Sequence, residues 1–210
     1  MAQKKKLQVF VSSTYVDLQE ERRAAVDAIL TAGHIPAGME LFAAGDEAQL
    51  DVIKRWIDES DVYLLILGGR YGSIEPKSKK SYIQIEYEYA IEKDKPVFSV
   101  VISQNSLEKK VKKFGISVIE QQYPQKLKSF RELVHSRIVR FWEDPRDIKL
   151  AILETMSELG RRSELIGWTK STETVSSIVA AEELRKFSPP YNFFRLNGDM
   201  KLNRNRQLFV

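Results

Sequence analysis

Between Val62 and Leu67 the sequence reads VYLLIL, an unbroken apolar run that stops abruptly at Gly-Gly-Arg-Tyr-Gly, residues 68–72. A run this short is not a buried helix, and without alternation it is not a strand with one wet face. It predicts a strand covered on both sides, as in parallel sheets sandwiched between helices. The glycines just beyond it let backbone approach a ligand closely. A lysine-rich loop then leads to a helix expected from Ser81 to Lys93, carrying Glu86 and Glu88 and closed by Asp94-Lys95-Pro96.

The rest of the chain repeats that unit. Leu7–Val11 (LQVFV) reads as a first strand, and Ser12-Ser13-Thr14 precedes a helix whose apolar face holds Leu18, Ala25, Val26 and Ile29. Thr14 followed three residues later by Asp17 resembles a capping box, and Gly33 is a natural stop. A second strand is expected within His34–Phe42, then a helix with Leu50, Ile53, Trp56 and Ile57 at helical spacing and Asp46 as its cap. VFSVVIS (97–103) reads as a fourth strand and Ile138–Trp142 as a fifth. Residues 104–123, with Lys109, Lys110, Lys112 and Lys113, look like an exposed insertion with a helical turn. Leu127, Phe130, Leu133 and Val134 mark a helix within Pro124–His135, and Asp144-Pro145-Arg146-Asp147 starts another that runs to about Gly160.

Strands alternating with helices predict an α/β fold: a three-layer, flavodoxin-like arrangement with a five-stranded parallel sheet of order 2-1-3-4-5 and right-handed crossovers. The expected division is an α/β domain over 1–160 and a C-terminal extension over 161–210. In such sheets ligands bind beyond the carboxyl ends of the strands where the order reverses, here between strands one and three.

Composition narrows the chemistry. Of 210 residues none is cysteine and only two are histidine, which removes thiolate chemistry and disfavours zinc, so no metal site is expected. Residues 1–160 hold 24 Lys+Arg against 24 Asp+Glu, while 161–210 hold 9 against 5. A balanced main domain argues against a nucleic-acid groove, which needs a clustered basic face. No apolar run approaches the roughly 20 residues that span a bilayer. The reading is a cytoplasmic protein without a membrane partner.

Four segments converge on the expected crevice: Ser12-Ser13-Thr14, Glu40–Phe42, Gly68–Gly72 and the start of the Ser81 helix. The first offers hydroxyls and N–H groups suited to an anion, and Arg70 can clamp a phosphate; equally, the hydroxyls can be simple caps and the arginine a solvated surface group. Helical neighbours separate the two glutamates. Tyr82, Ile83, Tyr89 and Ala90 surround Glu86, whereas Gln84, Ile85, Ile91 and Glu92 surround Glu88. A carboxylate partly removed from water at a cleft has a raised pKa and can act as acid, base or stabiliser of a cation. The plainer alternative is a glutamate at the helix edge or paired with Arg70. Neither a G-x-S-x-G elbow nor a phosphate loop ending in Gly-Lys-Ser/Thr is present. One carboxylate beside phosphate-binding elements suits cleavage of an N-glycosidic bond, whose transition state is oxocarbenium-like.

FVSSTYVDLQEERRAAV, PAGMELF, SDVYLLILGGRYGS and SYIQIEYEYAIEKDKPV together resemble the "domain of unknown function forty sixty-two" family, regarded as TIR-like (Toll/interleukin-1 receptor). The resemblance covers about the first half of the chain. It implies the fold derived above and an effector or signalling module of the kind found in bacterial defence proteins. A looser similarity runs to catalytic TIR domains and nucleoside deoxyribosyltransferases. Glu86-Tyr87-Glu88-Tyr89-Ala90 resembles the transferases' Glu-x-Gly-x-Ala pattern, with Lys95-Pro96 following and Glu88 standing where they have glycine. That resemblance implies that Glu86 is the catalytic carboxylate.

The expectation is therefore an N-glycosidase acting on NAD, NADP or a related nucleoside or nucleotide in antiviral-type immune defence. Ser12, Ser13, Thr14, Gly68, Gly69 and Arg70 would hold phosphate or ribose, with Tyr71 or Phe42 stacked on the base. No cofactor is expected beyond the nucleotide substrate, and the expected partners are further copies of the chain or another defence or signalling protein. The alternative expectation is a non-catalytic assembly module, motivated by the aromatics of Phe187–Phe194 (FSPPYNFF).

Overall fold

β1 (Gln8–Ser13) and β3 (Val62–Leu67) lie side by side at the centre of a parallel sheet, both buried along their whole length. The computed structural model describes residues 5–38, 49–169, 194–196 and 199–201. β2 (Ile35–Ala37) flanks β1, and β4 (Val97–Ile102) then β5 (Val139–Trp142) extend the other edge, giving the order β2-β1-β3-β4-β5. This is the flavodoxin-like arrangement expected from the alternating pattern, with its reversal between β1 and β3.

The two-residue period of the strands sorts the core into two layers. Val9, Val11, Leu64, Ile66, Val100 and Ile102 face α1 (Gln19–Thr31) and α6 (Pro145–Leu159). Phe10, Tyr63, Leu65, Leu67 and Val101 face α2 (Gln49–Glu59), α3 (Tyr82–Glu92) and α5 (Pro124–His135). In the second layer Phe10 stacks on Tyr63 at 5.8 Å, Tyr63 meets the edge of Tyr87 at 6.2 Å, and Tyr87 meets Phe130 at 5.6 Å. This aromatic chain ties β1 and β3 to α3 and α5.

Two local expectations are corrected. α1 begins at Gln19, with no side-chain cap at Leu18, so Thr14 and Asp17 do not form a capping box. Both belong to the turn after β1 and are buried, because Leu18 is drawn beneath Gly68 and delays the helix. The segment 104–123, expected to be an exposed insertion with one helical turn, holds α4 (Gln104–Phe114), 11 residues capped by Ser103 Oγ accepting from Ser106 N. A 3-10 turn follows at Ile116–Val118. Few apolar positions interrupt the lysines of α4, and Leu107 supplies its contact with the α1-side core. The Asp144–Asp147 capping box forms as expected.

The chain divides into two units, 1–169 and 170–210. Residues 161–169 remain with the first, where Lys6 and Trp168 exchange backbone hydrogen bonds of 2.7 and 2.8 Å. In the second, Phe194–Leu196 pairs antiparallel with Asp199–Lys201. The side chains of Phe187–Phe194, together with Glu40–Phe42 and Asp46, lie outside the described residues. Among the described residues no helix is long and apolar enough to cross a membrane. Phe130 is fully buried at the junction of the aromatic chain. Phe130→Ala is expected to destabilise the fold by about 3–5 kcal/mol, read as a lower midpoint in urea unfolding.

Candidate active site

Ser12 and Ser13 end β1 and, being adjacent on a strand, point to opposite layers. Ser12 follows Phe10 toward α3, where its hydroxyl donates to Glu86 Oε2 at 2.5 Å. Ser13 follows Val11 toward α1, where its hydroxyl accepts from Arg22 Nη1 at 2.8 Å and donates to the Thr14 carbonyl at 2.9 Å. Arg22 Nη1 also reaches the Val11 carbonyl at 3.3 Å. The carboxyl end of β1 thus has a buried carboxylate on one side of the sheet and a buried guanidinium on the other, at 2% and 5% exposure.

Glu86 is inward because it lies on the stripe of α3 that buries Ile83, Tyr87 and Ala90, and the helix is positioned by Ser81 Oγ accepting from Gln84 N. Glu88 points elsewhere: it is half-buried, bonded to Lys80 Nζ at 2.6 Å and to Gln84 Nε2 at 2.8 Å. Burial pushes the Glu86 carboxyl up from 4.5 to about 7, against the lowering effects of the Ser12 hydroxyl and the Arg22 charge. Oε1 of Glu86 has no hydrogen-bond partner among the described residues.

Glu86 lines a cavity of about 180 Å³ with Ser13, Thr14, Asp17, Arg70 and Tyr82. Arg70, Gly72 and Ser73 also line a second cavity of about 630 Å³, whose far wall is Glu120, Gln122 and Tyr123. The two meet at the half-buried Arg70. Gly72 permits this junction: its φ is +88°, and a Cβ there would lie 3.0 Å from Thr14 Cγ2.

The structure therefore brings Ser13, Thr14, Arg70 and Glu86 to one cavity, with Ser12 joined to them through its bond to Glu86. Gly68, Gly69 and Tyr71 lie beside it in other roles. A Cβ on Gly68 would lie 2.9 Å from Leu18 Cδ2, and one on Gly69 would lie 2.3 Å from the Val118 carbonyl oxygen. Their closeness is to the protein's own chain. Tyr71 is 1% exposed, its ring meets Phe130 edge-on at 6.3 Å, and its hydroxyl bonds to Gln84 Oε1. Glu120 locks the same turn, accepting from Tyr71 N at 2.9 Å while its own N–H donates to the Gly69 carbonyl at 2.8 Å. Arg131 of α5 donates to the Gly68 carbonyl. Phe42 lies outside the described residues.

Two residues near the end of β1, Arg22 and Asp17, are not marked by the sequence pattern. Arg22 falls at i+4 from Leu18, so a charge on the apolar stripe of α1 was the available signal. Asp17 was hidden by its resemblance to a capping acid.

Fold and site define an α/β protein with a buried acid at the switch point of a parallel sheet. The family model "Domain of unknown function (DUF4062)" matches residues 8–157, and the chain belongs to that family. No curated protein matches it. Among solved structures it is similar to the TIR domains of the activated Roq1 resistosome directly recognizing the pathogen effector XopQ (13% identity, TM-score 0.41, 86% of this chain and 99% of that one). It is also similar to diflavin flavoprotein A3 from Nostoc sp. (16%, 0.36, 75% and 92%) and the Flv1 flavodiiron core from Synechocystis sp. PCC6803 (18%, 0.29, 73% and 37%).

The carboxyl of Glu86 binds its proton more tightly in the folded state, at about 7, than at its ordinary 4.5. Stability therefore falls as pH rises through that window; the penalty is absent below it and complete above it. Glu86→Gln is expected to stabilise the protein by about 3 kcal/mol near about pH 8 and by little near about pH 5. Urea unfolding of both proteins at the two pH values checks this.

Proposed function

We propose that this chain is a TIR-like effector or signalling protein whose α/β unit is an N-glycosidase, splitting NAD or a related nucleotide in cytoplasmic immune defence. The observation that carries the reading is the burial of Glu86 at the cavity between β1 and α3, with its carboxyl pushed up to about 7. Near neutral pH such a group is divided between acid and carboxylate. The carboxylate form either attacks C1′ of the ribose or stabilises the oxocarbenium ion as the glycosidic bond breaks. The bonding electrons leave with the base, water supplies the oxygen that ends on C1′, and its proton returns to solvent. Arg70, where the cavities meet, would hold phosphate. Ser12 would orient the attacking carboxylate, while Ser13 and Thr14 would line the ribose side.

The test is chromatography of free base released from NAD, NADP and nucleoside mixtures by the wild type and Glu86→Gln. The wild type should release base and the variant should lose about 100-fold or more in kcat/KM. With Glu86 acting ionised, wild-type kcat/KM should rise with pH through about 7. Base release by the variant at the wild-type rate, or none from any substrate at any protein concentration, rejects the enzyme reading.

A second reading, non-catalytic assembly with further copies or another signalling protein, is favoured by a surface group of Tyr15, Val16, Phe114 and Ile116, between 49% and 73% exposed. Val16 and Phe114 line one cavity between the start of α1 and the end of α4. Phe114→Asp should then reduce the mass in solution to that of one chain; an unchanged mass removes this surface from assembly.

A further inference from the structure

A second buried acid stands at the cavity of Glu86 and has no part in the reaction just described. Asp17 is 8% exposed and lines the same 180 Å³ space. Its Oδ1, Oε1 of Glu86 and Oγ1 of Thr14 on the same lining have no hydrogen-bond partner among the described residues. The surrounding chain fixes it. Lys110 of α4 donates to the Asp17 carbonyl at 2.6 Å and pairs with the buried Glu21 at 2.6 Å, so the turn is held from two helices. Gly68 is bare on that side, with its missing Cβ only 3.0 Å from Asp17 Oδ2. Burial raises the Asp17 carboxyl, opposed by the Thr14 hydroxyl, its own backbone, Arg70 and Lys110.

Buried polar atoms are nearly always hydrogen-bonded, so two carboxylate oxygens and the Thr14 hydroxyl left without partners on the lining of one cavity point to a ligand that both brings donors and can accept one. Charge decides which kind. Arg22, Arg70 and Lys110 already act on the two carboxylates, so their charge is partly met within the protein and neutral hydroxyl donors suffice to pair the remaining oxygens. Size decides the rest. Small-molecule pockets usually run to roughly 300–1,000 Å³, so this cavity takes one ring and leaves the remainder of a ligand to pass Arg70.

We propose that Asp17 is a ligand-binding carboxylate that accepts hydrogen bonds from the sugar hydroxyls of a riboside seated against Glu86, and that the pair selects ribosides over 2′-deoxyribosides. A ring lacking one hydroxyl leaves one buried acceptor unpaired. Sites built to bind a hydroxyl reject the analogue without it far more strongly than apolar pockets reject a missing methylene. The choice of a sugar as the ligand rests on the glycosidase reading.

The experiment follows thermal unfolding of the full chain, wild type and Asp17→Ala, against ribose 5-phosphate and 2-deoxyribose 5-phosphate, alongside base release from matched riboside and deoxyriboside substrates. The wild type should reach the same thermal shift at about tenfold lower concentration of the ribose compound, and Asp17→Ala should bring the two sugars to within about twofold. Equal response to both sugars, response to neither, or an undiminished preference in Asp17→Ala overturns the proposal. An equal wild-type response to the two sugars needs no variant, so the proposal can be overturned even where Asp17→Ala folds poorly. Sugar preference without base release from any riboside leaves Asp17 assigned and removes the glycosidase reading alone.

Discussion

The pleat at the end of β1 is the constraint on which the cavity depends. Because successive residues of a strand face opposite ways, Ser12 meets Glu86 from one helical layer while Ser13 meets Arg22 from the other. One residue of slippage would exchange those partners and turn the apolar positions of β1 to the wrong layers. The register Ser12↔Leu65 and Ser13↔Ile66, backed by fully buried side chains on β3, prevents it. An acid can therefore be kept in a place where burial outweighs both the hydroxyl and the guanidinium that favour its charge.

The rigidity of the turn after β3 complements this arrangement. Gly68 and Gly69 let Leu18 and the Val118 backbone close in, Glu120 and Arg131 occupy the turn's carbonyls, and Tyr71 is anchored among aromatics. Arg70 is the one charged side chain of this stretch, half-buried where two cavities meet. A fixed turn presenting one cation suits a site in which geometry is set before a ligand arrives. The cost is carried by the folded state: unpartnered oxygens on Glu86 and Asp17 are the kind of unfavourable burial that functional sites retain.

Much of the architecture was legible in the sequence for physical reasons. VYLLIL has no alternation because both faces of β3 are covered, and the Asp144–Asp147 box formed because its chemistry is local. Glu86 could be preferred to Glu88 because the residues three and four away belong to the buried stripe of α3. What failed to show depended on distant contacts. Thr14 and Asp17 match a helix cap in sequence, yet Leu18 under Gly68 moves the helix start to Gln19. The glycines after β3 signalled close approach but not to what, and the lysines of α4 masked a helix whose burial rests on few residues. Arg22 was overlooked because its meaning lies in Ser13, nine positions earlier and on another element.

The fold holds the carboxyl of Glu86 in a state divided between acid and carboxylate near neutral pH. Carbon-13 NMR of the glutamate carboxyls, with Glu86 assigned by its loss in Glu86→Gln, measures that state directly. A titration midpoint near about 7 is predicted. A midpoint in the ordinary range near about 4.5 would contradict it, since burial would then not be controlling this group.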